Sequence, residues 1–126
     1  MRKFLHSKIH RATITEADLH YEGSLTIPAQ LMQAADLKDY EAIQVWNVTR
    51  GTRLETYAIT GKDDKTICSN GAAAHLMEKG DMIIIAAFCL LNSDEINKHK
   101  AKLVFVDENN QIKDISEEVP GPQKRE

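Results

Sequence analysis

The sequence predicts a mainly β protein, a small barrel with a few short helices, and three observations point that way. Several segments alternate side chains with period two, the pattern of a strand with one buried face. The longest apolar run, Met82–Leu91 (MIIIAAFCLL), has ten residues, which suits a buried strand and falls short of the about 20 that a membrane-crossing helix needs. Helical patterns run for only a turn or two, so strands must supply most of the core.

Taken in order, Lys8–Thr15 (KIHRATIT) opens the strand pattern. Alternation sets Lys8, His10, Ala12 and Ile14 on one face and Ile9, Arg11, Thr13 and Thr15 on the other. Ser24–Ile27 (SLTI) is a strand start directly after Gly23. Pro28–Ala35 is a short helix, because proline suits a first helical position and Leu31, Met32 and Ala35 form an apolar stripe. Ala42–Val48 is rich in β-branched and aromatic residues, as strands are. Thr49–Thr52 (TRGT) is a turn, and Arg53–Thr60 returns as the hairpin partner, with Arg53, Glu55 and Tyr57 facing away from Leu54, Thr56 and Ala58. Gly61–Lys65 is a polar loop and Thr66–Cys68 a short strand. Gly71–Gly80 is a helix capped by Asn70 and closed by Gly80. Asp81–Leu91 is a central strand buried on both faces. Ser93–Lys100 is a third short helix, capped by Ser93 or Asp94, and Lys102–Ile115 is a last hairpin turning at Glu108–Asn110. Ser116–Glu126 is charged, holds two of the three prolines, and is expected to be a flexible tail. That leaves residues 1–115 as one domain.

Composition narrows the function. A chain of 126 residues with a net charge of −3 presents no basic field for a phosphate backbone, which argues against nucleic acid. The N-terminus has basic residues but no sustained apolar region, so a cytoplasmic protein is expected. Cys68 and Cys89 form no CxxC and read as free thiols in a reducing compartment. Among five histidines only His6 and His10 have ligand-like spacing, on a segment that reads as strand, and no Cys or carboxylate completes a set; no metal is expected. Ser24, His10 and Asp18 lack the GxSxG elbow of a hydrolase triad. Asn70–His75 (NGAAAH) opens a predicted helix with small residues, whose free N–H groups suit an anion. Trp46 and Tyr57, taken singly, have an ordinary structural explanation.

Together these segments carry a resemblance. Lys8–Ile27 (KIHRATITEADLHYEGSLTI), Trp46–Ile59 (WNVTRGTRLETYAI), NGAAAH and Gly80–Phe88 (GDMIIIAAF) closely resemble the aspartate 1-decarboxylase family. These pyruvoyl-dependent carboxy-lyases make β-alanine for pantothenate synthesis. The resemblance extends to about Ile115, with the segments in the family's order and spacing. It implies a six-stranded double-psi β-barrel, a homotetramer, and autocatalytic cleavage between Gly23 and Ser24 into chains 1–23 and 24–126.

The resemblance also implies residue roles. Gly23, free in its backbone angles, allows a strained peptide open to attack by the Ser24 hydroxyl. Ser24 becomes the pyruvoyl group, the only cofactor, which takes the aspartate amine as a Schiff base with no pyridoxal phosphate and no metal. Thr56 hydrogen-bonds the Gly23 carbonyl during cleavage, and Tyr57 is the proton donor after decarboxylation. Arg53 and Lys8 hold substrate carboxylates; the β-carboxylate falls to Arg53, since clamping the departing α-carboxylate would stabilise the ground state. Trp46, Asn70, Gly71, Ala72 and Ala73 line the pocket, with Tyr21 and His10 close to the cleavage site. Some members of the family need a maturation factor. The chain departs from the family's usual residues at Pro28, where Asp is common, and at Leu54–Glu55, where Phe–Ser is common; Glu55 brings a negative charge beside a dianion site. The alternatives are a non-catalytic barrel that binds a small ligand or a protein, and a pyruvoyl enzyme for another amino acid.

Overall fold

The structure, a computed structural model, describes residues 1–122. It is mainly β: strands β1 (Arg2–Thr13), β2 (Glu16–Asp18), β3 (Leu25–Ile27), β4 (Ala42–Asn47), β5 (Arg53–Thr60), β6 (Cys68–Asn70), β7 (Met82–Leu91), β8 (Lys102–Val106) and β9 (Ile112–Ser116) join helices α1 (Ala29–Ala34) and α2 (Ser93–Ile96). One sheet carries the order β2-β6-β3-β5-β4-β7-β1-β8-β9. The strand count is thus nine, three of them only three residues long.

The sheet cannot be flat. Only two residues separate β1 from β2, yet the two strands lie six places apart in the order. Six strand spacings would span about 29 Å, whereas that link reaches about 11 Å. The sheet therefore rolls up, as a barrel does. Ile9 and Ala12 of β1, Leu25 and Ile27 of β3, Ile43 and Val45 of β4, Ile83 and Ile85 of β7, and Val104 of β8 all pack into one core, each 1% exposed or less. Leu31 and Met32 of α1 help to fill it.

Several sequence expectations need correction. β1 starts six residues earlier than expected and contains bulges between Leu5 and Ser7 and between His10 and Ala12, with Arg11 at φ +65. The second bulge resets the alternation, so Ile9, Ala12 and Ile14 are all buried while Lys8 and His10 face outward. Pro28 stands at the N-cap of α1 (φ −56, ψ 144), not in its first turn. The helix expected over Gly71–Gly80 is a single 3-10 turn, Gly71–His75, and Asn70 makes no side-chain cap to it. α2 is shorter than Ser93–Lys100, and its cap is Asn92, in a capping box with Glu95. β7 is buried fully on one face only; Ile84 and Phe88 on the other are half-buried, and the Lys3 ammonium lies 4.9 Å from the Phe88 ring centre. β9 runs through Ser116, and Glu118 of the following segment reaches Lys8 at 3.2 Å. The tail's last residues, 123–126, lie outside the described residues.

Two polar groups tie the loops down. Asn110, fully buried at φ +60, accepts from the Thr13 N–H at 2.8 Å and donates to the carbonyls of Thr13 and Lys65 at 3.0 and 2.9 Å. Asp81, 3% exposed, accepts from Asn47 Nδ2 at 2.9 Å, Arg50 Nε at 2.7 Å and the Glu78 N–H at 2.9 Å. Burial alone would raise the Asp81 pKa; the hydrogen bonds from Arg50, Asn47 and Glu78 outweigh it and hold the carboxyl below its ordinary value.

Candidate active site

Ser24 immediately precedes β3. It is 2% exposed and sits at φ +98, a backbone angle that side-chain-bearing residues rarely adopt. The unusual conformation belongs to the serine; Gly23 is not among the positive-φ residues, which corrects the expectation that the glycine carries it. Ser24 is held from both ends. Its carbonyl accepts from the Asn70 N–H at 3.0 Å, and its Oγ accepts from Asn70 Nδ2 at 3.1 Å.

β6 runs antiparallel to β3, with Leu25 opposite Ser69 and Thr26 opposite Cys68. Alternation puts Cys68 and Asn70 on one face of β6. Asn70 Nδ2 also donates to Thr26 Oγ1 at 2.9 Å, and Asn70 Oδ1 accepts from Cys68 Sγ at 3.1 Å. Burial raises the Cys68 pKa, and the carboxylates of Glu16 and Asp18 push it further up, so the thiol keeps its proton.

Gly23 has neighbours on two sides, and the Gly71 side is the tight one. A Cβ built on Gly23 would lie 3.9 Å from both Cε1 and the hydroxyl oxygen of Tyr57. Gly71, at φ +66, comes closer still: its Cβ would stand 3.1 Å from Gly23 Cα, 3.1 Å from the Tyr21 carbonyl oxygen and 3.2 Å from Gly23 N. Only glycine permits both that angle and that approach. Gly23, Ser24, Tyr57, Asn70, Gly71 and the Tyr21 backbone therefore meet around one peptide bond. Ala72 and Ala73 follow on the 3-10 turn, Ala72 exposed and Ala73 packed on the core.

The remaining predicted residues form a separate strip. Arg53 lies opposite Trp46 in the β4–β5 ladder, its guanidinium carbon 4.7 Å from the ring centre. The two residues help to line an open cleft of about 250 Å³ with Asn47, Thr52 and Ile84. Trp46 pairs with Ile84 and Ile84 with His10, so the row runs on from Arg53 to β1. His10 packs edge-on against Phe105 at 5.3 Å. Lys8 is three strands from β5, about 14 Å away. Arg53 and Tyr57 share a face of β5, about 14 Å apart along the strand. Thr56 points the other way, opposite the buried Ile43, and no bulge interrupts the β4–β5 register to turn it. It is Asn70 that reaches the Ser24 hydroxyl.

Sequence reasoning missed Thr26 and Cys68. Their signal was the i, i+2 spacing of Ser24 with Thr26 and of Cys68 with Asn70, legible only once β3 and β6 are known to pair. Among the described residues no group of three or more His, Cys, Asp or Glu side chains gathers as a metal site would require, and no helix is long and apolar enough to cross a membrane. Both cysteines are free.

The sequence model of the aspartate decarboxylase family matches residues 1–113. The aspartate 1-decarboxylase of Rhodopirellula baltica is 53% identical over 125 residues, covering 98% of this chain and 80% of its own. That of Legionella pneumophila (strain Lens) is 54% identical over 118 residues, 93% of this chain and 89% of its own. That of Myxococcus xanthus is 51% identical over 128 residues, 99% of this chain and 98% of its own. With half its residues shared over nearly its full length, and a glycine–serine peptide gripped at the end of β3, the chain belongs to the aspartate decarboxylase family.

Proposed function

We propose that this chain is a self-maturing enzyme that removes the α-carboxyl group of L-aspartate to give β-alanine and carbon dioxide, the β-alanine serving pantothenate synthesis. Ser24 Oγ attacks the Gly23 carbonyl carbon, its proton passes to the Ser24 nitrogen, and the peptide C–N bond breaks to leave an ester and a free amine. Loss of the Ser24 Cα proton expels the Gly23 carboxylate and leaves dehydroalanine. Water then displaces the nitrogen as ammonia, and a pyruvoyl group blocks the new end of residues 24–126. The observation that carries this proposal is Ser24 itself, buried at φ +98 with its hydroxyl hydrogen-bonded, its neighbour Gly23 closely approached by Gly71 and with Tyr57 nearby. A residue kept in so unfavourable a conformation is typical of a functional site.

A ketone at residue 24 supplies an electron sink for the bond to the departing carboxylate. The chain's own groups do the rest. Asn70 fixes the Ser24 hydroxyl. Tyr57, whose ring lies against Gly23, hands a proton to the substrate carbon once carbon dioxide has left. Arg53, braced on Trp46, takes the β-carboxylate in a two-pronged contact, with Lys8 as the alternative holder. Gly71, Ala72 and Ala73 form the pocket wall, with Tyr21 near the cleaved bond and His10 on the strip that holds Arg53. Assembly as a homotetramer fits a chain whose cationic strip and cleavage site lie apart within one copy. The setting proposed is cytoplasmic, with or without a maturation factor.

Intact mass on the purified protein tests the proposal. Incubation should convert the precursor into fragments 1–23 and 24–126, the larger blocked to N-terminal sequencing, while Ser24→Ala stays whole and inactive. A wild-type chain that stays single and unblocked, alone or with cell extract, would refute it and favour the non-catalytic barrel.

A further inference from the structure

We propose that Cys68 and Thr26 are positioning residues for maturation: they clamp the Asn70 carboxamide so that its amino edge, not its oxygen, faces Ser24 Oγ. The inference rests on the proposed cleavage at Gly23–Ser24. Asn70 is 3% exposed, and every polar position of its side chain is taken. The two Nδ2 hydrogens go to Ser24 Oγ and Thr26 Oγ1, and Oδ1 receives Cys68 Sγ–H.

A carboxamide can turn over at little torsional cost, because its terminal sp³–sp² torsion is soft. The partners therefore decide which way it faces. In the turned-over arrangement Oδ1 would face both hydroxyls and would accept the Ser24 proton. That proton has to leave Oγ as the oxygen attacks the Gly23 carbonyl, and a strong acceptor would hold it in the wrong place. In the arrangement observed, Nδ2–H occupies a lone pair of Oγ and leaves the Ser24 proton free to travel.

Cys68 sets this preference. A thiol is a weak donor and a weak acceptor, and only its donor form can satisfy a carboxamide oxygen. Buried among carboxylates, it keeps the proton needed for that. Turned over, Nδ2 would meet a sulfur that accepts poorly. Thr26 supports the same choice by accepting the second Nδ2 hydrogen. Because Thr26 and Cys68 face each other in the β3–β6 ladder, backbone pairing sets the spacing of the clamp. Neither residue touches the bond that breaks; both act through Asn70.

The test follows cleavage of freshly purified precursor by intact mass, with melting temperatures measured alongside. Cys68→Ala should slow cleavage on the order of five- to tenfold, the size expected for one lost orienting hydrogen bond. Cys68→Ser, which keeps a donor, should recover most of that rate at a similar melting temperature. In an Asn70→Ala background, Cys68→Ala should add nothing, since the residue through which it acts is gone. Thr26→Val should slow cleavage and Thr26→Ser restore it, and this pair carries the comparison if Cys68→Ala fails to fold. Cys68→Ala cleaving at the wild-type rate, or slowing cleavage just as much without Asn70, would overturn the inference while leaving the proposed function in place. Wild-type protein that never cleaves would overturn both.

Discussion

Gly71→Ala isolates how closely the cleavage site is packed. Two costs add at this position. At φ +66 a Cβ costs about 1 kcal/mol in backbone strain. The same Cβ would also lie 3.1–3.2 Å from three backbone atoms, two on Gly23 and one on Tyr21. Backbone cannot swing aside as a side chain can, so Gly23 has to shift by a few tenths of an ångström, at a further cost of about 1 kcal/mol. The total of about 2 kcal/mol should lower the melting temperature by about 8 °C. Cleavage should suffer as well as stability. A misplacement of 1 Å in a reacting pair costs about a hundredfold, so the smaller shift should slow self-cleavage by about tenfold. Gly80→Ala is the control: at φ +92 it has the strain, but its Cβ would meet nothing within 4 Å. It should lose about 1 kcal/mol and cleave at the wild-type rate. The assay is a time course of intact mass beside thermal unfolding of the same samples. Gly71→Ala cleaving as fast as Gly80→Ala would refute the claim that Gly71 sets the position of Gly23.

Other expectations follow from the same geometry. Arg53→Lys should raise KM for aspartate about tenfold through loss of the planar fork, and Arg53→Ala should also lose the preference for aspartate over uncharged analogues; steady-state kinetics on both decides. Asp81→Ala should cost about 2 kcal/mol in denaturant unfolding, because Arg50, Asn47 and the Glu78 N–H all lose their acceptor. The Asp81 carboxyl is depressed in the folded state, so its contribution is complete above the ordinary value near pH 4 and fades as pH falls through the folded value; wild-type stability should therefore drop more steeply than that of Asp81→Asn in acid. Asn110→Ala should destabilise by about 2 kcal/mol, read as a lower urea midpoint, through loss of three hydrogen bonds in a fully buried position.

Much of the fold could be read from the sequence because its strands announce themselves locally. Arg53–Thr60 was expected with the bounds it has, since alternation and the preceding TRGT turn fix both ends. What stayed hidden depends on distant partners. The bulge at Arg11 leaves no local mark, so simple alternation divides the two faces of β1 wrongly beyond His10. Asn70 followed by glycine and alanines looks like a capped helix, yet its side chain serves Ser24 and Thr26, 46 and 44 residues away in the chain. Edge strand β2, all exposed and three residues long, has too little pattern to detect. The site divides in the same way: Gly23, Ser24 and Tyr57 were named from the resemblance, whereas Cys68 enters only through the pairing of β3 with β6.

β1 is the middle of a sandwich of ladders, paired with β7 along nearly its whole length and with β8 over Ser7–His10. Under the proposed cleavage after Gly23, that strand would belong to a separate 23-residue peptide. The groups that hold the Gly23–Ser24 bond, Asn70 and Gly71, arrive from far down the chain and meet it only in the finished fold. Folding of each protomer would thus be a one-molecule event before the cut and a two-molecule event afterwards. Mature protein unfolded in denaturant and then diluted should recover with a steeper dependence of rate and yield on concentration than Ser24→Ala, whose covalent link is intact. A ripened protomer would owe its structure to a state of the chain that it can no longer revisit alone.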